Sequence, residues 1–486
     1  MKKITFFSRC ELVHLYGRIT PHLENKFEIN HLAFSKIEKK ILEKEYNITN
    51  VICLQDELEK KYYNSGVNSQ IIQEIDTLII NKSYGQFCLN GAIQSDRTFE
   101  FNTYEDNLHL CQSYYLFWND YLKKYKPNYL IHEPVALFMT QIASYLISEI
   151  GGVYLTNIQV IGENDFNWIF VKGISGELYI TENHKKDSIT KETANNFIQN
   201  YRKQKSSILF SQYSKSHNQN RKNNFIKYLR LVGSIINLLI SHIIKKKEFI
   251  SYNPLNHIET FLIRYKPNTI EQIRMRIDRF FFLRYDEFER EKQFYYYPIH
   301  MEPEATVLYW ANGFYKNQVK LIENIAAQLP PNVLLYVKDH PHGIGDRNYL
   351  DYKRIKSISN VKLLNPIIPG VDIVKASMGI ITINGTGGFE GYLLGKNIIT
   401  FGSNFYTNMY GINSLNHIKD LRFIVYKLNE LNDNLSDINY LESIQLYLAQ
   451  SNKGFTDYFS DYVLKTKVNE NENAKIVAEG FISQLK

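Results

Sequence analysis

Lys338, His340 and His342 stand at the end of the apolar run "NVLLYVK", in the loop "DHPHGIG", with Arg347 just beyond. A cation and imidazoles in such a loop suit an anionic ligand, because glycine lets backbone come close and the side chains add charge-assisted donors. Two more clusters share this setting. "HMEPEAT" puts His300, Glu302 and Glu304 after "FYYYPI", and "TINGTGGFE" puts Asn384, Gly385, Thr386, Gly387 and Glu390 at a strand-to-helix turn. Free N–H groups at a helix start, with the Thr386 hydroxyl, make a cradle for phosphate. Glu304 and Glu390 are acceptors suited to ribose or base hydroxyls. The glycine-rich turn alone is a weak signal, being neither a Walker A loop nor G-x-G-x-x-G. Three clusters at successive strand ends carry more weight than any one of them.

The first half offers one comparable position. In "NYLIHEP", His132 and Glu133 follow a buried run and precede a helix. Glu133 there could serve as general acid, base or nucleophile, with His132 beside it. The plainer reading is a carboxylate that complements the positive end of a helix.

These positions need a scaffold that brings strand ends together. At 486 residues the chain is long enough for two domains. From Phe294 onward, apolar runs alternate regularly with helical patterns: "FYYYPIH", "NVLLYVK", "VKLLNP", "MGIITIN" and "KNIITFG" read as strands, "NQVKLIENIAAQL", "RNYLDYKRIKSI" and "FEGYLLG" as helices. This predicts a doubly wound α/β domain, with ligands at the carboxyl ends of its strands. The first 200 residues alternate less regularly. "NVICLQ", "TLIINKS", "PNYLIHEP" and "GGVYL" read as strands, and 108–125 and 135–151 as helices. The N-terminal "MKKITFFSRCELVHLYG" meets Arg9 and Glu11 too early for a signal peptide and reads as a first buried strand. The expected boundaries are 1–200 for an N-terminal Rossmann-like domain, 201–293 for a helical insert and linker without clear strands, 294–460 for the ligand-binding domain and 461–486 for a closing helix.

Charge is uneven. The net charge is +7, yet residues 202–247 hold eleven Lys and Arg and no Asp or Glu. Inside that segment, 231–244 is an apolar run flanked by basic residues, too short to span a bilayer. It reads equally as a helix lying on an anionic membrane surface or as a buried interdomain helix. The basic residues are not interleaved with aromatics, so no nucleic-acid partner is expected. The four cysteines, Cys10, Cys53, Cys88 and Cys111, form no CxxC pair. A reducing cytoplasm is the simple location, with the inner face of the plasma membrane as a candidate contact.

The segment from Phe294 to Tyr406 resembles the capsule polysaccharide biosynthesis family, relatives of bacterial β-linked 3-deoxy-D-manno-octulosonic acid (Kdo) transferases. The resemblance rests on "YYPIHMEPEAT", "LPPNVLLYVKDHP", "GDRNYLDY", "NVKLLNP" and "TINGTGGFEGYLLGKNIITFG". It implies a GT-B-like architecture of two Rossmann-like domains facing a cleft, the basic insert between them. It also implies a nucleotide-activated sugar donor, CMP-Kdo or a related CMP-linked acidic sugar, and a glycan or glycolipid acceptor. Lys338, His340, His300, Glu304, Asn384, Gly385, Thr386, Gly387 and Glu390 would then hold the nucleotide, and Glu133 with His132 would act from the opposite wall. No metal and no further cofactor are expected, because Lys338, His340 and helix N–H groups can stabilise the leaving nucleotide and no Asp-x-Asp pair stands at a strand end. Two departures mark this chain. Asp339 stands where the family usually has Glu, and Glu302 where it tends to have Gln. Two other readings are a CDP-alcohol phosphotransferase of teichoic type and a non-catalytic, membrane-docked assembly or export component.

Overall fold

The computed structural model describes all residues except 64–65, 100–101, 164–165, 182–188, 204–231, 234, 237–249, 254–257, 262–268, 303, 312, 314, 341–346, 429–436 and 458–467. Two parallel sheets organise the chain. The first is built from β1 (Lys3–Ser8), β2 (Glu28–Ala33), β3 (Ile52–Cys53), β4 (Tyr129–Ile131), β5 (Val153–Val160) and β6 (Asn167–Lys172). Its order runs β6-β5-β4-β1-β2-β3, parallel from β5 to β3, with β6 antiparallel on β5. The chain thus moves outward from β1 in one direction and restarts beside it with β4. That reversal makes the crevice beyond β1 and β4 the place where such a sheet receives a ligand.

The linker contains a two-stranded antiparallel pair, β7 (Ile250–Asn253) and β8 (Ile258–Phe261), before the helix Thr269–Phe282. The expectation that 201–293 lacks strands is corrected by that pair. The basic, apolar run falls outside the described residues between 204 and 247, apart from Val232, Gly233, Ile235 and Ile236.

The second sheet repeats the plan of the first. β9 (Phe294–Pro298), β10 (Leu334–Lys338), β11 (Val361–Leu364), β12 (Gly379–Thr382), β13 (Asn397–Thr400) and β14 (Ile412–Ser414) are all parallel, in the order β11-β10-β9-β12-β13-β14. The reversal here lies between β9 and β12. The two Rossmann-like units expected from the sequence are therefore present.

One strand reading is overturned. "TLIINKS" belongs to the helix Ser69–Lys82, with Asn68 accepting from the N–H groups of Gln70 and Ile71. The apolar residues Ile71, Ile72, Ile75, Leu78 and Ile79 recur at helical spacing, and Ile75 and Ile79 are buried. Viewed only from Thr77 to Ser83, that stripe looks like a continuous run.

The chain ends in the first half. β15 (Asn452–Lys453) pairs antiparallel with β6, so the crossing back occurs before residue 460. The helix Glu470–Leu485 then buries Phe481 against Phe6, Trp168 and Phe170. A second apolar cluster runs from Phe7 and Trp118 in the first half through Tyr309 and Trp310 to Tyr296 and Phe389 in the second. The halves share this core. Among the described residues, no helix is long and apolar enough to cross a membrane.

Candidate functional site at the two strand reversals

At the first reversal, β1 and β4 lie side by side with Phe6 opposite Ile131. The residues just past their ends are Arg9 and the pair His132 and Glu133. Arg9, 3% exposed, forms an ion pair with Oε1 of Glu133. The His132 ring stacks on Phe7 and its Nδ1–H donates to the Phe7 carbonyl at 2.6 Å. That leaves Nε2 as the lone-pair nitrogen, 3.6 Å from Glu133 Oε1 and without a hydrogen-bond partner. Burial holds His132 down to about 4, so the imidazole is neutral near pH 7. Burial works to raise the Glu133 carboxyl, but the Arg9 guanidinium first, with Arg97 a lesser influence, outweighs it and holds it below the ordinary value. Glu133 is therefore an ionised carboxylate, with 12% of its side chain open to solvent.

Sequence reasoning missed the two arginines. Arg9 registered only as a break in a hydrophobic N-terminus. Arg97 follows Asp96, whose carboxylate accepts from the Phe138 N–H at the start of the helix Phe138–Glu149. No local pattern marks either one, because each gains its meaning from chain more than thirty residues away.

At the second reversal, His300 follows β9 and Asn384 and Gly385 follow β12. His300, 7% exposed, lies with Nδ1 3.3 Å from Glu304 Oε2 and Nε2 3.2 Å from the Thr382 hydroxyl. The same hydroxyl accepts from the Gly385 N–H at 3.1 Å. A Cβ at Gly385 would sit 3.1 Å from the His300 ring, a tight contact that would press on the imidazole. Asn384 donates to the Thr306 carbonyl at 2.9 Å, and its Oδ1 is buried without a partner. Thr386 is exposed at the first turn of the helix Thr386–Leu393, next to Gly387. Burial would raise the Glu304 carboxyl; His300 chiefly, with His340 a lesser influence, holds it below its usual value.

The structure brings together His300, Glu304, Thr382, Asn384 and Gly385, with His340 close by. Lys338 and Glu390 form a separate group. Lys338 ends β10 with 6% exposure, its Nζ 3.4 Å from the Pro366 carbonyl, and burial lowers it to about 8 despite Glu390 and Asp339. Glu390, 9% exposed, lies in the body of the helix, away from its first turn. His342 lies outside the described residues.

Glu302 and Asp339, the two departures from the family pattern, belong to one network. Arg347 donates to Glu302 Oε2 at 3.2 Å and to the His300 carbonyl at 3.4 Å, and stands 3.9 Å from Asp339. Gln318 donates to Glu302 Oε1 at 2.6 Å and accepts from the His300 N–H at 2.8 Å. Glu302 is thus the counter-charge of a buried arginine and is not an unpaired carboxylate beside the site. A separate depression of about 600 Å³, lined among others by Arg18, Tyr46 and Lys475, includes none of these residues.

Residues 214–427 match the family model described as capsule polysaccharide biosynthesis protein, which bears out the family resemblance over that segment. Among solved structures, the chain is similar to the Thermosulfurimonas dismutans KpsC β-Kdo 2,4 transferase, at 14% identity over 68% of this chain and 82% of that one, with a TM-score of 0.32. It is also similar to the UDP-GlcNAc 2-epimerase of Methanocaldococcus jannaschii in complex with UDP-GlcNAc and UDP, at 12% identity over 91% and 98%, with a TM-score of 0.29. No curated protein matches the chain.

Proposed function

From the capsule polysaccharide biosynthesis match as premise, we propose that this chain is a glycosyltransferase that uses a nucleotide-activated acidic sugar, with CMP-Kdo or a related CMP-linked sugar as donor. The observation that carries this reading is the pair of polar clusters at the strand reversals of two parallel sheets, one gathering His300 and the Gly385 turn and one holding an ionised carboxylate. Nucleotide phosphate would meet the Gly385 turn, His300 and His340, and Lys338, from the end of the adjacent strand β10, would add charge. Glu133 would reach the reacting carbon from the other half.

Its ionisation selects among its chemical roles. A carboxylate held below its usual pKa is a poor proton donor, so it would take the proton of the acceptor hydroxyl or attack the anomeric carbon itself. Direct attack by the acceptor inverts the anomeric centre, whereas a glycosyl-enzyme on Glu133 gives retention by two displacements. Charge on the leaving CMP would be met by His300, Lys338 and helix N–H groups, without a metal ion. The basic residues of 202–247 would favour an anionic membrane face.

A thermal-shift panel of CMP, CDP, UDP and GDP tests the reading, since a ligand that binds only the folded chain raises its melting temperature. Stabilisation by CMP above the others, followed by transfer from CMP-Kdo, is the expected result. A response to CDP alone would favour the phosphotransferase reading. No response to any nucleotide would leave the assembly-component reading.

A further inference from the structure

Trp310 is the last residue of the short helix Thr306–Trp310 in the second half, and only 6% of it is exposed. Its indole N–H donates across the seam to the carbonyl of Gly173, at 2.9 Å, just past the end of β6. The same carbonyl accepts the Val135 N–H at 3.0 Å. Val135 is two residues beyond Glu133. One oxygen therefore ties the Glu133 turn to the opposite half of the molecule.

The corner around that oxygen leaves little freedom. The Gly173 N–H donates to the Tyr154 carbonyl at 3.2 Å, and the Tyr154 hydroxyl donates to the Glu133 carbonyl at 3.0 Å. A Cβ at Gly173 would lie 2.1 Å from the Tyr154 ring. Gly176 has φ of +70°, and a Cβ there would lie 2.6 Å from the Trp310 ring, so neither position admits a side chain without displacing an aromatic. At its other end, the Trp310 helix starts from the nucleotide-side cluster. The Leu308 N–H donates to the Glu304 carbonyl at 3.0 Å, and the Thr306 carbonyl accepts from Asn384 at 2.9 Å. The Trp310 carbonyl accepts the Ser403 N–H at 3.0 Å, which fixes the helix end as well.

We infer that Trp310 is a positioning residue, holding the turn that carries Glu133 in register with the His300–Asn384 cluster through the Gly173 carbonyl. The inference rests on the glycosyltransferase reading above. Packing alone would need only the ring, whereas positioning needs the N–H, and the two can be separated. A reacting group displaced by about 1 Å can lose on the order of a hundredfold in rate, so even partial loosening of this tie is measurable.

The test replaces the N–H while keeping the ring. The isosteric 3-benzothienylalanine at position 310, with sulfur in place of the indole N–H, is compared with wild type for kcat, CMP affinity and melting temperature, and Trp310→Phe, which also removes part of the ring, serves as the packing control. The expected result is a fall in kcat of at least about tenfold, with CMP affinity within about twofold and a folded protein. In a Glu133→Gln background the same change at 310 should produce no further fall. An unchanged kcat for the isosteric variant, or an equal further fall on top of Glu133→Gln, would overturn the inference. Normal turnover of Glu133→Gln alone would take Glu133 out of the chemistry and overturn the inference with it, whereas a wild-type protein that transfers no sugar from CMP-Kdo would bring down the glycosyltransferase reading itself.

Discussion

Arg9 and Glu133 are 124 positions apart in the chain and meet as an ion pair past the ends of adjacent parallel strands. The pairing has two effects. It makes a carboxylate tolerable in a largely buried position, and it keeps that carboxylate ionised. His132 adds a neutral ring whose lone-pair nitrogen faces the same oxygen.

Glu133→Gln keeps the size and hydrogen-bonding reach of the side chain and removes its charge. Turnover should fall at least about a hundredfold, the usual scale for a lost acid–base group. CMP affinity, measured by calorimetry, should stay near wild type, because the His300–Asn384 cluster proposed to hold the nucleotide belongs to the other sheet. A mutant with normal turnover would exclude Glu133 from the chemistry.

Arg9→Gln should act through Glu133. Without the guanidinium the main influence lowering the carboxyl is gone, and burial then pushes its pKa up. Activity that requires the ionised form is lost as pH falls through that pKa, so the acid limb of the kcat/KM profile should move to higher pH. Breaking a buried pair also costs on the order of 3–5 kcal/mol of stability, which urea unfolding would register. An acid limb at the wild-type position would show that Arg9 does not set the charge of Glu133.

Lys338 predicts an alkaline limit on nucleotide binding. Burial brings its ammonium down to about 8, so it loses its charge as pH rises through that value. If it supports phosphate, CMP affinity should decline above pH 8 in wild type. Lys338→Arg keeps a cation at all these pH values and should flatten the decline. Equal slopes for the two proteins from pH 7 to 9.5 would remove Lys338 from the phosphate site.

The second half was legible because its signals are local. His300, Lys338 and Gly385 each follow a short apolar run directly, so strand, turn and polar residue appear in one window. What no window shows is strand order. That β9 neighbours β12 follows from pairing across the sheet, and only this pairing puts His300 beside Thr382 while Lys338 falls into another group. Arg9 and Arg97 were hidden for the same reason. Glu302 looked odd in sequence because its partner, Arg347, lies 45 positions later. The reading of 77–83 as a strand failed differently: its window ended inside a helical stripe that Asn68 begins.

His31 gives a prediction on stability that is independent of any catalytic role. The ring lies on β2 with 5% exposure and Nε2 3.0 Å from the Thr20 hydroxyl. That hydroxyl donates to the Tyr16 carbonyl at 2.7 Å, so the Nε2–H of a neutral ring donates to Thr20 and Nδ1 keeps the lone pair. Nδ1 is buried without a partner, and protonating it would put an unpaired charge in the core. Burial accordingly lowers the pKa from 6.5 to about 4. The unfolded chain then binds more protons than the folded one between those values, so the contribution of His31 is complete above pH 6.5 and is lost as pH falls toward 4. The full loss is at most about 3 kcal/mol, and His132 adds a loss of the same sign in the same window. Urea unfolding at pH 7, 6, 5 and 4 should show stability falling with pH, and His31→Gln should fall less steeply than wild type. If both proteins lose stability at the same rate over that range, His31 does not resist protonation in the folded state.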